Sequence, residues 1–348
     1  MLRKKGLMWL LVVVFLMSAV LVGCSSGGKE TAGGEEKKSG PIFLNITTAT
    51  TGGTYYPVGV GLATLWTDKL KKSEGISVSA QSSAGSVENV DILRNKEADL
   101  AIMQGLIGAM AWKGKGPFEG NPYNDFRSIG ALWFNVEHFI VKKDLVKTGN
   151  VTDIKGMRFS IGPSGSGTER STLTIMEGVG ISTDDIKVER LGYTETAQAM
   201  KDGRLEGGSM PGGTPVAAVS DLFASPLEVQ VLEFTDEQLE AINNVFPSWG
   251  RWIIKPGVYS GQDKEIKTIA QPNWLAVNKD VDEEIVYKLT KTIFENLDYL
   301  HGVHAATKQI SLDSVFTGVP VPLHPGAIKY YKEAGIEIPE RLIPEEAK

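Results

Sequence analysis

The sequence is poor in the residues that build disulfides and metal centres. Its one cysteine, Cys24, has no second cysteine to pair with, so no disulfide can form within the chain. Of its four histidines, only His301 and His304 have the helical spacing of a metal-ligating pair. No acidic or cysteine ligand completes a recognised site with them. We therefore predict neither a metal centre nor a cofactor.

The glycine-rich stretch at residues 162–168, GPSGSGT, lacks the residues that nucleotide binding or hydrolysis would need. Its glycine spacing is that of a phosphate-binding loop, but Thr168 stands where the lysine is required. Arg170 occupies the position of the third glycine of a dinucleotide fingerprint. A nucleophile elbow centred on Ser164 fails because Ser166 replaces its last glycine. The stretch therefore predicts a binding loop for something other than a nucleotide, in a protein that is not an enzyme.

The N-terminus has the features of an export signal. Three cations precede an apolar run from Leu7 to Val22, which is short for a membrane-spanning helix. The run ends in Leu-Val-Gly-Cys24, which resembles a bacterial lipobox, so we expect residues 1–23 to be a signal peptide and Cys24 to be lipidated. Residues 24–40 are polar and predict a flexible tether. The mature protein would then be anchored by its lipid to the outer face of the bacterial cytoplasmic membrane.

The charge of the mature chain argues against nucleic acid as a partner. The full chain has a formal net charge of −6, and removal of the signal's three cations, Arg3, Lys4 and Lys5, makes the mature chain more acidic still. An acidic balance repels phosphate backbones and leaves small ligands open, because these respond to local charge. We expect a small-molecule solute as partner and a monomer.

Alternating strand and helix patterns predict an α/β fold with two similar halves. Short β-branched runs such as IFLNITTA, ISVSAQ and ADLAIMQ are separated by helical patterns, which is typical of parallel sheets. The pattern starts again near His138 with HFIVKK, MRFSIG and IKVERL. About 300 residues remain after the tether, enough for two domains of ordinary size.

Four loops of small and hydroxylated residues precede predicted helix starts, where unpaired backbone amides attract anions. Ordinary N-capping explains any one loop equally well, but two matching Gly-Thr loops favour one shared cleft. Gln104 closes an apolar strand and would project into this cleft, or else cap the sheet edge. Tyr55 would form a wall, whereas Trp133 and Trp274 fit buried core better. The predicted ligand-binding residues are Gly53, Thr54, Tyr55, Ser86, Asn89, Gln104, Ser164, Ser166, Gly167, Thr168, Gly213 and Thr214.

Four motifs together resemble the TAXI family, the TRAP-associated extracytoplasmic immunogenic proteins. They are TGGTYYPVGVGLATLW, SSAGSVENVDILRNKEADLAIMQ, DIKGMRFSIGPSGSGTE and ISLDSVFTGVPVPLHPGAIKYYKEAGI, and the likeness extends over residues 42–336. The resemblance implies a type II periplasmic-binding-protein fold, with two α/β domains joined by two crossover strands around a ligand cleft. The implied domains are residues 41–137 plus 276–348 and residues 138–275.

The resemblance also implies a function. The protein would capture a small carboxylate or amino acid of the glutamate, glutamine or 2-oxoglutarate class and deliver it to a TRAP-type permease driven by an ion gradient. An alternative is a ligand-binding sensory module for a membrane receptor kinase. An exported enzyme on the same fold is a third hypothesis.

Overall fold

The computed structural model describes residues 40–348. The predicted signal peptide, the lipidation site Cys24 and nearly all of the tether lie outside the described residues. Within residues 40–348, no helix combines the length and the apolar composition that a membrane crossing requires.

Strands and helices alternate along the first half of the chain and again after it, as the sequence predicts. The strands are β1 (Ile42–Thr47), β2 (Ile76–Gln81), β3 (Leu100–Gln104), β4 (Phe126–Val136), β5 (Phe139–Lys142), β6 (Arg158–Ser160), β7 (Lys187–Glu189), β8 (Gly207–Ser209), β9 (Val229–Val231), β10 (Gly250–Ile254) and β11 (Ile266–Asn278). The helices are α1 (Tyr55–Glu74), α2 (Ser86–Arg94), α3 (Gly105–Lys113), α4 (Gly167–Gly178), α5 (Tyr193–Lys201), α6 (Ala217–Phe223), α7 (Asp236–Val245), α8 (Glu283–Phe294), α9 (Leu297–Val303) and α10 (Pro325–Glu333).

The strands form two mixed sheets. The first has the order β10-β11-β3-β1-β2, with β4 paired along the other edge of β11. In it β1 runs parallel to β2 and β3, and β11 runs antiparallel to its neighbours. The second sheet has the order β7-β6-β8-β5-β9, with β6 parallel to β7 and β8. Two such sheets flanked by helices make the periplasmic-binding-protein fold, and this sequence-based prediction is confirmed.

The chain passes from the first sheet to the second between β4 and β5, at Glu137 and His138. It returns through α7 to β10, so that β10 and β11 both belong to the first sheet. The two sheets also share a buried cluster in which Met103 and Trp274 of the first join Phe139 and Phe159 of the second. The domain limits at 137/138 and 275/276 stay a prediction.

The helices after β11 pack back onto the first sheet's core. The chain after β11 forms two helices, α8 and α9, which are separated by Glu295 and Asn296. Asp282 caps α8 by accepting the amides of Glu284 and Ile285. The carbonyl of Leu289 on α8 accepts the indole N–H of Trp66 on α1 at 2.9 Å, which ties both helices into one core.

Candidate functional site

The first residues of three helices line one cavity between the two sheets. The starts of α1 and α2, together with the ends of β3 and β4, form the first-sheet side, and the start of α4 with Tyr193 of α5 forms the second-sheet side. The space between them is about 390 Å³, part of which opens to solvent. Eight of the twelve predicted residues line it: Gly53, Thr54, Tyr55, Ser86, Gln104, Ser166, Gly167 and Thr168.

The two sides touch each other around the cavity. The backbone N–H of Glu88 on α2 donates to the carbonyl of Gly165, before α4, at 2.9 Å. The Thr54 hydroxyl, before α1, donates to the carbonyl of Gly213 at 3.1 Å. In both bonds, the donor comes after a strand of the first sheet and the acceptor lies in a loop after a strand of the second sheet. The two sides of the cleft are therefore in contact, and the structure shows the cleft closed.

In each of the three helices, the first two backbone amides have no hydrogen-bond partner among the described residues. In α4, the hydroxyl and the carbonyl of Ser166 accept the amides of Glu169 and Arg170, the third and fourth of the helix. In α2, the third and fourth amides go to the carbonyls of Gly165 and Gly85. The first turn of a helix has no internal partners for these groups. The remaining donors are the amides of Gly167 and Thr168 in α4, which both line the cavity, and those of Ser86 and Val87 in α2, of which only Ser86 lines it.

In α1 the same pattern arises differently. The third position is Pro57, which has no N–H, and the amide of Val58 is accepted by the Thr54 carbonyl. This leaves the amides of Tyr55 and Tyr56. Tyr55 lines the cavity and Tyr56 does not, so the free amides of lining residues are two from α4 and one each from α1 and α2.

The cavity attracts negative charge although no cation lines it. None of its lining residues is charged, so its local field comes from backbone dipoles. A helix N-terminus carries the equivalent of about half a positive charge, and an anion there gains about 0.3–1 kcal/mol, or up to about 2 when partly buried. Three helix starts converge here, from helices of 20, 9 and 12 residues. The arrangement suits a small anion.

The threonine hydroxyls, which the sequence suggests as ligand donors, are engaged with protein partners. Tyr193 donates its hydroxyl to the carbonyl of Pro211 at 2.7 Å, so the 2.8 Å contact between Thr168 and Tyr193 has Thr168 as donor. Thr54 likewise donates to Gly213. Both hydroxyls therefore position the helix starts, and the donors left for a ligand at these two helix starts are backbone amides.

The other four predicted residues lie outside the cavity lining. Asn89 is fully buried, and its side chain accepts from the hydroxyls of Thr47 and Ser83 while donating to two backbone carbonyls. It therefore holds the first-sheet loops together. Ser164 is exposed, at the tip of its loop.

The loop with Gly213 and Thr214 does not line the cavity, but it helps to hold the two sides of the cleft together. It supplies the Gly213 carbonyl to Thr54 and contains a cis peptide bond before Pro215. An added Cβ at Gly213 would lie 2.7 Å from Trp133 Cδ1, so glycine is required where the loop meets this indole. Trp133 and Trp274 are buried, as the sequence analysis favours.

Sequence reasoning missed Tyr193 and Asn135, which also line the cavity. Tyr193 begins α5 directly after Gly192, so the loop-to-helix signal used for the other loops was available for it. Burial raises the pKa of its hydroxyl, which keeps it a neutral donor. Asn135 is a single carboxamide near the end of an apolar strand, with no local signal to set it apart.

Two buried titratable residues lie where the chain crosses between the sheets. Burial raises the pKa of Glu137 to about 7, and Trp249 donates its indole N–H to Oε1 at 3.0 Å. Burial lowers the pKa of His138 to about 4. His138 Nδ1 donates to the Val136 carbonyl at 2.9 Å, so in the neutral ring Nε2 accepts from the Tyr259 hydroxyl at 2.8 Å. Within the described residues there is no cluster of three or more possible metal ligands.

Solved structures of periplasmic binding proteins are similar to this chain over most of its length. The periplasmic aliphatic sulphonate binding protein SsuA from Escherichia coli is 13% identical, covers 84% of this chain and 83% of its own, and has a TM-score of 0.43. PhnD1 from Prochlorococcus marinus, solved with methylphosphonate, is 15% identical, with coverages of 77% and 91% and a TM-score of 0.48. At this level of similarity the ligands of those proteins say nothing about this one.

The family comparison corrects the assignment made from the motifs. Residues 46–335 match the model of the NMT1-like family. The membership of the TAXI family inferred from the sequence is therefore wrong, and the TRAP-type permease loses its support. The chain belongs to the NMT1-like family.

Proposed function

We propose that the protein is an extracytoplasmic solute-binding protein that captures a small organic anion, of which a carboxylate is the simplest case, and presents it to a membrane transporter. The observation that carries the proposal is the convergence of the starts of α1, α2 and α4 on one uncharged cavity. Hydrogen bonds to a charged group contribute about 1.5–3 kcal/mol each. Three or four of them support the ~8 kcal/mol of a micromolar complex after ordering costs.

The composition of the cavity supports binding without catalysis. Its lining residues include no His, Cys, Lys, Asp or Glu, so no general base or activated nucleophile faces a bound solute. The nearest buried acid, Glu137, is bonded to Trp249 and does not line the cavity. Lipidation at Cys24 would keep the receptor at the membrane surface, close to its transporter.

A thermal-shift screen over small organic acids tests the proposal. A ligand present at 100 times its dissociation constant stabilises the folded state by about 2.7 kcal/mol, which raises the melting temperature measurably. The matched controls are the primary amides and methyl esters of the same acids, which keep the shape and lose the charge. We expect a shift with at least one acid and none with its neutral derivatives. Equal shifts with acid, amide and ester would contradict an anion site.

A further inference from the structure

Two buried carboxamides have unpaired atoms on the first-sheet side of the cavity. Gln104, at the end of β3, is 3% exposed, and Asn135, near the end of β4, is 1% exposed. Among the described residues, Gln104 Oε1 and Asn135 Nδ2 have no hydrogen-bond partner. A buried polar group left unpaired is destabilising. Both residues line the cavity, so a bound solute can satisfy them.

A relay of hydrogen bonds orients the Asn135 carboxamide. The Tyr55 hydroxyl donates to Asn273 Oδ1, and Asn273 Nδ2 contacts Asn135 Oδ1 at 3.4 Å. With its oxygen turned to Asn273, Asn135 keeps its amide hydrogens as the free group. The unpaired atom at Asn135 is thus a donor.

Gln104 presents the opposite chemistry next to the start of α4. Its backbone N–H donates to Ser86 Oγ at 3.1 Å, which holds the residue at the sheet edge. Its Oε1 lies so close to Gly167 that an added Cβ there would be 2.7 Å away. The unpaired atom at Gln104 is an acceptor beside the amides proposed to hold the anion.

We propose that Gln104 and Asn135 determine specificity, and that the solute carries, besides its anionic group, one neutral group that both donates and accepts hydrogen bonds, a hydroxyl or a primary carboxamide. This inference rests on the proposed function of the cavity. A methyl group would leave both carboxamides unpaired. A second carboxylate offers no donor to Gln104, and an ammonium offers no acceptor to Asn135.

Two series of acids test the inference by isothermal titration calorimetry. Lactate, alanine and propanoate place a hydroxyl, an ammonium or a hydrogen next to the acid. Succinamate, succinate and butanoate place a carboxamide, a carboxylate or a methyl at the far end. In at least one series, we expect the neutral donor–acceptor member to bind at least tenfold more tightly than both others. Equal affinities within both series would overturn the inference and leave the proposed function standing.

Variants separate recognition from folding. Gln104→Met and Asn135→Leu keep the size of the side chain and remove its polar atoms. Each should therefore bring the preference, which is the affinity for the neutral polar acid relative to the other acids of its series, close to one. Tyr55→Phe should reduce it through the orientation of Asn135. Gln81→Met is the matched control, because Gln81 also ends a strand of the first sheet but does not line the cavity. It should leave the preference unchanged.

The preference, a ratio of two dissociation constants for one protein, is insensitive to a general loss of folded material. A preference that survives both Gln104→Met and Asn135→Leu would overturn the role of these residues. Absence of binding by all six acids, whichever variant is used, would overturn the proposed function and this inference with it.

Discussion

A single added methyl group at Gly167 should block the cavity from closing on its ligand. Gly167 is the first residue of α4, and its backbone does not lie in the left-handed region, so alanine fits the helix without strain. Its Cβ would meet Gln104 Oε1 at 2.7 Å, Gln104 Cδ at 2.8 Å and Ser86 Cβ at 2.9 Å. All three atoms belong to the opposite side of the cavity. The clash therefore acts on the closed arrangement and not on either side alone.

The size of the effect follows from this contact. Overpacking of this kind costs about 1–3 kcal/mol, and every 1.4 kcal/mol is tenfold in affinity. Gly167→Ala should therefore weaken binding by roughly 5- to 150-fold. The free energy of unfolding without ligand should change by less than about 1 kcal/mol, because opening relieves the contact and alanine restricts the unfolded chain.

Calorimetry with the best acid from the screen measures the loss, and urea unfolding measures the stability. Gly302→Ala is the matched control: Gly302 lies in α9, and an added Cβ there meets nothing within 4 Å. It should bind like the wild type. If Gly167→Ala binds the acid within twofold of Gly302→Ala, the cavity does not close on its ligand at this residue.

Three further predictions concern other parts of the chain. Thr168→Ala should weaken binding by about 1 kcal/mol, and Tyr193→Phe, which also removes the bond to Pro211, by at least as much; the double variant should lose no more than Tyr193→Phe alone, because Thr168 and Tyr193 share one hydrogen bond, and additive losses in calorimetry would contradict this positioning role. Burial raises the pKa of Glu137 from 4.5 to about 7, so the unfolded chain loses this proton first and stability falls as pH rises through that window. The stability advantage of Glu137→Gln over the wild type should therefore grow between pH 5 and pH 7.5 in urea unfolding, since the opposite contribution of His138 is common to both proteins; a constant difference would exclude the raised pKa. If Cys24 is lipidated, the wild type should partition into the detergent phase and Cys24→Ser should not; a mature N-terminus at another residue would refute the anchor.

Much of the site could be predicted because helix starts are local features. A few consecutive residues are enough to identify the Gly-Thr loops before α1 and α4 and the small residues before α2. The fold then brings these helix starts to one cavity. The end of an apolar strand likewise indicated Gln104. These signals depend on the conformational preferences of the backbone, which are set by a few neighbouring residues.

What could not be predicted depends on contacts between distant parts of the chain. That Asn89 bonds to Thr47 and Ser83, away from the cavity, follows from how α2 packs against β3 and places Asn89 beside the end of β1. That the hydroxyls of Thr54 and Thr168 are engaged with Gly213 and Tyr193 follows from the second-sheet loops.

A crystal structure of the protein with the best acid from the screen tests the central claim most directly. The account predicts the oxygens of the acid group within about 3 Å of backbone amides at the starts of α4 and at least one of α1 and α2. It also predicts no cation side chain in contact with that group. Density for the acid outside this cavity, or an acid group held by a lysine or arginine, would contradict the account.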